Sequence, residues 1–170
     1  DNLNNYYDRN LKLKRLNILK KFNNFKFIKV DIRKVNTNLN KISNIEFDYL
    51  YHFAAQPGVR YSFKNPKLYY DTNVKGFFNV VSTVNKKKLK KIIYASSSSV
   101  YGDQLKFPIK ENAKLRAKNP YGATKIQNEK ISEKLSKKFN IDFIGLRFFT
   151  VYGEWGRPDM FIIKLLKAIH

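Results

Sequence analysis

Tyr121 and Lys125 lie four apart in Tyr121-Gly122-Ala123-Thr124-Lys125. Residues at that spacing share one face of a helix. A phenol, with a pKa of about 10, is a poor base at neutral pH. An ammonium group beside it favours the phenolate and lowers that pKa. The pair is therefore suited to take a proton from a substrate hydroxyl and to return it. Tyr-x-x-x-Lys is a common spacing in a chain with 11 tyrosines and many lysines, so the motif draws its weight from its surroundings.

Those surroundings must supply a helix and a surface for it to face. Asn119-Pro120 signals a helix start, and Ile131, Leu135 and Phe139 continue it at spacing four. Upstream, Leu11, Leu13, Leu16, Ile18 and Leu19 read as a short amphipathic helix. Phe25 to Val30 reads as a strand closed by Asp31, and Leu39, Ile42 and Ile45 as a short helix. Phe47 to Phe53 is a second strand running into Ala54-Ala55-Gln56-Pro57-Gly58. Asn65-Pro66 opens a helix striped by Tyr70, Val74, Phe77, Val81 and Val84. Lys91 to Ala95 is a third strand, opening onto Ser96 to Ser99, and residues 102–119 form a polar connection. Ile141 to Phe149 is a fourth strand, Val151 to Pro158 a loop, and a last helix runs from Met160.

Strand and helix alternate, which predicts an α/β fold: a doubly wound parallel sheet with helices on both faces. In such sheets ligands bind beyond the carboxyl ends of the strands. Asp31, the Ala54-Ala55-Gln56 turn, the serine run and Phe149-Thr150 all stand at such ends. Four strands ending this way predict a shared crevice.

Composition narrows the chemistry. Hydrophobic residues make up 43% of the 170, enough for a packed core and too many for a disordered chain. No cysteine is present, so disulfides and thiolate metal sites are excluded, and His52 and His170 cannot make a zinc site alone. No apolar run approaches the roughly 18 residues of a membrane span. No signal peptide is visible, so the expectation is a cytoplasmic protein with no membrane partner. The net charge of +21 raises a nucleic-acid reading. Lysine, however, is spread along the whole chain, and Lys86-Lys87-Lys88 falls where a helix should end, a favourable place for cations. A solvated surface without nucleic acid is the expectation, with a basic non-enzymatic binding module as the alternative of another class.

Five blocks occur in one order: Phe53-Ala54-Ala55, Asn73-Val74-Lys75-Gly76, Ser96 to Gly102, Pro120 to Lys125 and Arg147 to Gly153. In this the chain resembles the extended short-chain dehydrogenases/reductases, the nucleotide-sugar epimerases and dehydratases. Asp1 to Asp8, Gln56 to Ser62 and Trp155 to Met160 look like the UDP-glucuronate 4-epimerase branch. The resemblance implies a Rossmann-like fold, NAD as cofactor, a UDP-sugar as substrate and a homodimer formed through the helices near 65–88 and 120–139. It makes Tyr121 the catalytic base and acid, with Lys125 lowering its pKa and binding the nicotinamide ribose. Ser97 is the hydroxyl that bonds the sugar 4-oxygen, and Ser98 competes for that role. Asp1 and Asn2 fall at the adenosine ribose, Asp31 and Ile32 at the adenine, and Phe53, Ala54, Ala55 and Asn73 along the dinucleotide. Phe149 lies beside the nicotinamide. Gln56, Arg60, Ser98, Thr150 and Arg157 fall on the substrate side, where a guanidinium fork suits a carboxylate or a diphosphate. Read without the resemblance, Asp31 is a strand-end cap, Asn73 a helix-surface residue, Arg157 an ion-pair partner within its loop, the serine run a turn, and His52 a packed ring.

The chain departs from the family pattern in three places. No glycine occurs before Gly58, whereas the family opens on a strand and a glycine-rich turn against the pyrophosphate. The first βα unit is thus expected to lie outside these residues, leaving an incomplete dinucleotide-binding domain over 1–157. Residues 158–170 are the expected start of a sugar-binding region, and the piece alone is expected to bind NAD poorly. Glu154 stands where the branch has proline, and a carboxylate near Arg157 works against an acidic sugar. The implied activity is 4-epimerisation of UDP-glucuronate to UDP-galacturonate by transient oxidation at C4. UDP-glucose epimerisation, and decarboxylation or dehydration of a UDP-sugar, are the alternatives. A 4,6-dehydratase is expected to carry Thr-Asp-Glu at 97–99, where this chain has three serines.

Overall fold

The computed structural model describes residues 1–35 and 37–169. In chain order its helices are α1 (Arg9–Leu19), α2 (Thr37–Asn40), α3 (Val59–Lys64), α4 (Pro66–Tyr69), α5 (Gly76–Thr83), α6 (Pro120–Phe139) and α7 (Phe161–Ile169). Its strands are β1 (Tyr49–His52), β2 (Lys91–Ala95) and β3 (Asp142–Leu146). Contacts group the chain into two units, one of Asp31–Phe149 and one of Asp1–Val30 with the stretch from Thr150 onward.

The larger unit is a parallel sheet in the order β1-β2-β3. Leu50 pairs with Ile92 and Ile92 with Phe143, and His52 pairs with Tyr94 and Tyr94 with Gly145. Parallel neighbours need a long crossover, and helices supply each one. Ile92 and Tyr94, two apart in β2, are both buried, as strand periodicity requires of one face. The fully buried Phe77 of α5 closes that face. Its ring lies 5.2 Å from His52 and 5.3 Å from Tyr94. Val81, Val84, Leu89, Val100, Tyr101 and Leu135 are among the other buried core residues.

Two helix features set up the site. α6 starts where the sequence dictates: the Asn119 side-chain oxygen accepts the Gly122 N–H at 2.7 Å, and Pro120 needs no donor of its own. It ends at Asn140, in the left-handed region at φ 53, with Lys137 and Lys138 in the last turn. The stretch between α4 and α5 is a π turn over Tyr70–Lys75. Its wider winding shifts the phase of the apolar stripe. Tyr69 is buried in place of the expected Tyr70, which is 44% exposed.

In the smaller unit, the Asp8 side chain caps α1 by accepting the Asn10 N–H at 2.8 Å. Arg15 donates to the Tyr7 hydroxyl at 2.8 Å and to the carbonyls of Trp155 and Gly156. The strand expected over Phe25 to Val30 joins no ladder among the described residues. A strand exists by pairing with a neighbour, and here Val30 N–H reaches only as far as the Asp1 carbonyl, at 3.2 Å.

Candidate active site

Tyr121 and Lys125 stand on successive turns of α6, with the Lys125 ammonium 5.7 Å from the Tyr121 ring centroid. Lys125 is only 2% exposed and donates to the Ala95 carbonyl at 2.6 Å, which ties it to the end of β2. Burial lowers its pKa to about 8. Tyr121 is half-buried, and the ring of Tyr69 meets it edge-on at 6.2 Å. Tyr69 is itself fixed, its hydroxyl donating to the Pro57 and Gly58 carbonyls at 2.6 and 2.5 Å.

The serine run forms a short 3₁₀ turn over Ser98–Val100, with Ser97 as its cap. Ser97 Oγ accepts the Ser99 N–H at 3.2 Å, which leaves its own O–H free to donate. Ser98 N–H donates to the Phe148 carbonyl at 2.9 Å. Gly122 brings this turn against α6. A Cβ there would meet the Ser99 carbonyl oxygen at 2.6 Å, so only glycine allows the approach. The structure thus gathers Ser97, Ser98, Tyr121 and Lys125 at the end of β2.

Of the residues expected along the cofactor, Phe53 and Ala54 are exposed and Ala55 half-buried just past β1. Phe149 is exposed beyond β3. Asp31 forms a fork with Arg33, at 2.9 and 2.5 Å, in the turn after residue 30. Ile32 is held to α5: its carbonyl accepts Asn79 Nδ2 at 2.9 Å, and its side chain would lie 2.7 Å from a Cβ on Gly76. Asn73 is buried, contrary to its reading as a surface residue. It accepts the Gln56 N–H at 2.7 Å and donates to the Gln56 carbonyl and to Thr124 Oγ1, both at 3.2 Å. It acts here as a pin between the Gln56 turn and α6. On the expected substrate side, Gln56 is buried with no partner for Nε2, and Arg60 is exposed on α3.

Asp1, Asn2, Thr150 and Arg157 belong to the smaller unit. Asp1 accepts the Leu3 N–H at 2.5 Å, and Asn2 the Asn4 N–H at 3.2 Å. Thr150 is exposed. Arg157 forks onto Asp159 at 2.9 and 3.0 Å, as its reading as a loop ion pair has it.

Sequence reasoning passed over Tyr69, Ser96, Thr124, Glu129 and Arg147. Glu129 lies one helical turn past Lys125 and was findable by that spacing. Ser96 and Thr124 stand beside Ser97 and Lys125 in the chain, whereas Tyr69 and Arg147 reach the site from distant segments. His52 is buried on Phe77, and burial, followed by the charge of Lys125, lowers its pKa to about 4.

A model of the NAD dependent epimerase/dehydratase family matches residues 2–170. An uncharacterised protein of Methanocaldococcus jannaschii is 43% identical over 170 residues, covering 99% of this chain and 52% of that protein. UDP-glucuronate 4-epimerase of Thermodesulfobacterium geofontis is 41% identical over 175 residues, covering 100% and 53%. The crystal structure of UDP-glucuronic acid 4-epimerase from Bacillus cereus, with UDP-glucuronic acid and NAD, aligns with a TM-score of 0.90 at 35% identity. It covers 99% of this chain and 53% of that one. The chain spans about half the length of the curated relatives it matches. Ordered motifs, a parallel Rossmann-like sheet and a match along nearly the whole length agree: this chain belongs to the NAD dependent epimerase/dehydratase family.

Proposed function

We propose that the whole protein is an NAD-dependent epimerase that inverts C4 of a UDP-sugar, converting UDP-glucuronate to UDP-galacturonate. The observation that carries this reading is the mutual placement of Tyr121, Lys125 and the serine turn, held by the close approach at Gly122. The similarity to UDP-glucuronate 4-epimerases supports the choice of sugar.

The residues present fit the cofactor. The Lys125 ammonium is buried, and oxygen acceptors such as a ribose diol would offset that burial. The Gln56 side-chain nitrogen is a buried donor without a partner, and a bound ligand is one source of the acceptor it lacks. The small, exposed Ala54 and the half-buried Ala55 let an extended ligand lie close to the backbone at the end of β1. Lys125, Phe53, Ala54, Ala55 and Phe149 are the residues of the larger unit assigned to hold it. When bound, NAD would supply a reversible hydride acceptor for sugar C4.

The chain's own work is proton handling. Tyr121 oxygen, as phenolate, takes the 4-hydroxyl proton as C4 loses its hydride and becomes a ketone. Lys125 lowers the cost of that phenolate. The Ser97 hydroxyl donates to the sugar 4-oxygen and holds it near Tyr121. After the ketone turns its other face, Tyr121 gives the proton back as hydride is restored to C4, so no net oxidation occurs. Tyr121→Phe in the whole protein tests the assignment. The kcat should drop by about 10²-fold or more, the scale of lost general acid–base catalysis, with NAD affinity unchanged. Unaltered turnover refutes it.

A neutral UDP-hexose is the second reading. It is favoured by the Arg157–Asp159 fork, which occupies the guanidinium otherwise assigned to the sugar carboxylate. Comparing kcat/KM for UDP-glucuronate and UDP-glucose separates the two.

A further inference from the structure

Four separated stretches of the larger unit meet at one ion pair. Arg147, just past β3, forks onto Glu129 of α6 with Nε to Oε1 and Nη2 to Oε2, both 2.9 Å. Both side chains are largely buried, 23% and 16% exposed. The remaining nitrogen, Nη1, donates to the Tyr101 hydroxyl at 3.1 Å and to the Glu111 carbonyl at 2.5 Å. The guanidinium carbon lies 5.0 Å from the Tyr101 ring centroid. The pair raises the pKa of Arg147, chiefly through its hydrogen bonds to Glu129. The fourth stretch is the serine run: Ser96 Oγ donates to Glu129 Oε1 at 2.6 Å.

This last bond gives the cluster a role beyond packing. Ser97 is held from both sides. Ser96 before it is fixed by its side chain to Glu129, and Ser98 after it by its N–H to the Phe148 carbonyl at 2.9 Å. Phe148 is the neighbour of Arg147, so both anchors lead back to the same fork. Glu129 is on α6 one turn beyond Lys125, so the helix that carries Tyr121 also carries the anchor of the hydroxyl turn. A bidentate Arg–carboxylate pair fixes direction as well as distance, which a lysine cannot reproduce.

We propose that Glu129 and Arg147, acting through Ser96, are positioning residues that set where the Ser97 hydroxyl stands relative to Tyr121. The proposal rests on the reading of Ser97 and Tyr121 given under Proposed function. Ser96→Ala in the whole protein isolates the link, because it leaves the fork itself intact. Two readouts are expected to move. Hydrogen exchange of the Ser98 and Ser99 amides should speed at least about tenfold, and kcat should fall about tenfold, as a small misplacement of a reacting group requires. KM, NAD affinity and the unfolding midpoint should stay near the parent's. Arg147→Lys, which keeps the charge and loses the fork, should show the same kcat loss. Unchanged amide exchange in Ser96→Ala overturns the proposal whatever the activity. So does a kcat loss that simply follows the unfolding midpoint across the variants. Failure of the underlying reading looks different: Tyr121→Phe keeps its turnover, while amide exchange still decides whether the fork orders the turn.

Discussion

Asn73 satisfies both backbone groups of Gln56: its side-chain oxygen accepts the N–H at 2.7 Å and its nitrogen reaches the carbonyl at 3.2 Å. A side chain thus does for this turn what a neighbouring strand does for a sheet residue. Asn73→Ala strands a buried donor and a buried acceptor, at about 1–3 kcal/mol each. The expected loss is about 2–6 kcal/mol in urea denaturation. Thr124→Val, which removes the hydroxyl that accepts from Asn73 and donates to the Tyr121 carbonyl but leaves both Gln56 bonds in place, should cost about 1 kcal/mol. Equal losses in the two variants would contradict the pin.

The close approach of Gly122 to Ser99 pits two effects against each other. Alanine gains about 1 kcal/mol over glycine inside a helix. Here its Cβ would meet backbone, at 2.6 Å, and overpacking costs about 1–3 kcal/mol. Backbone yields less than a side chain, so the clash wins. Gly122→Ala should therefore lower the unfolding midpoint, and kcat should fall with it because the serine turn is pushed from Tyr121. A midpoint that rises would mean that helix propensity dominates and the contact is soft.

His52 gives the fold an acid limit. Its pKa falls from 6.5 to about 4, mainly through burial and then through the charge of Lys125. Between those values the unfolded chain binds a proton that the native protein refuses, so stability falls as pH drops from 6.5 to 4. At 1.36 kcal/mol per pKa unit the loss reaches about 3 kcal/mol at the lower end. His52→Leu should flatten that part of the pH–stability curve. NMR should find the His52 ring neutral at pH 5; a protonated ring at that pH contradicts the assignment.

Lys125 gives the opposite limb. With a native pKa of about 8 against 10.5 in the unfolded chain, the unfolded state holds more protons between those values. Stability therefore rises as pH climbs from 8 toward 10.5. Below pH 8 the ligand-free protein carries the full cost of a buried ammonium. Lys125→Met should remove the alkaline rise and stabilise the ligand-free protein at pH 7 by up to about 3 kcal/mol. It should also abolish turnover, a stability–activity exchange of the kind functional sites show. A parent protein with flat stability from pH 8 to 10.5 would count against the buried cation.

How far the sequence revealed this molecule depended on whether a feature was local. β2 runs from Lys91 to Ala95 and α6 from Pro120 to Phe139, as the apolar pattern and the Asn119-Pro120 signal require. Asn119, Pro120 and Tyr121 through Lys125 act within one helix, so local spacing placed them on one element, and the ordered blocks around them singled out the pair. The strand read over Phe25 to Val30 fails for the opposite reason: its apolar pattern is local, but a ladder is not. Tyr69 was missed in favour of Tyr70 because a π turn leaves no mark in a periodicity counted at 3.6. Asn73 looked like a surface residue because asparagine is mostly exposed, and its partner Gln56 is distant in sequence. Ser96, Glu129 and Arg147 are ordinary polar residues until the sheet and α6 bring them together.

The π turn over Tyr70–Lys75 has a genetic consequence. It gives the helical run between Pro66 and Thr83 a surplus residue, so loss of any single codon from 70 to 75 would still encode an unbroken helix. Circular dichroism would register almost nothing. Yet every side chain upstream of the deletion would swing by about 100° around the axis, carrying the Tyr69 hydroxyl off the Pro57 and Gly58 carbonyls. A frame-preserving deletion here is thus spectroscopically quiet while it unfastens the floor beneath Tyr121.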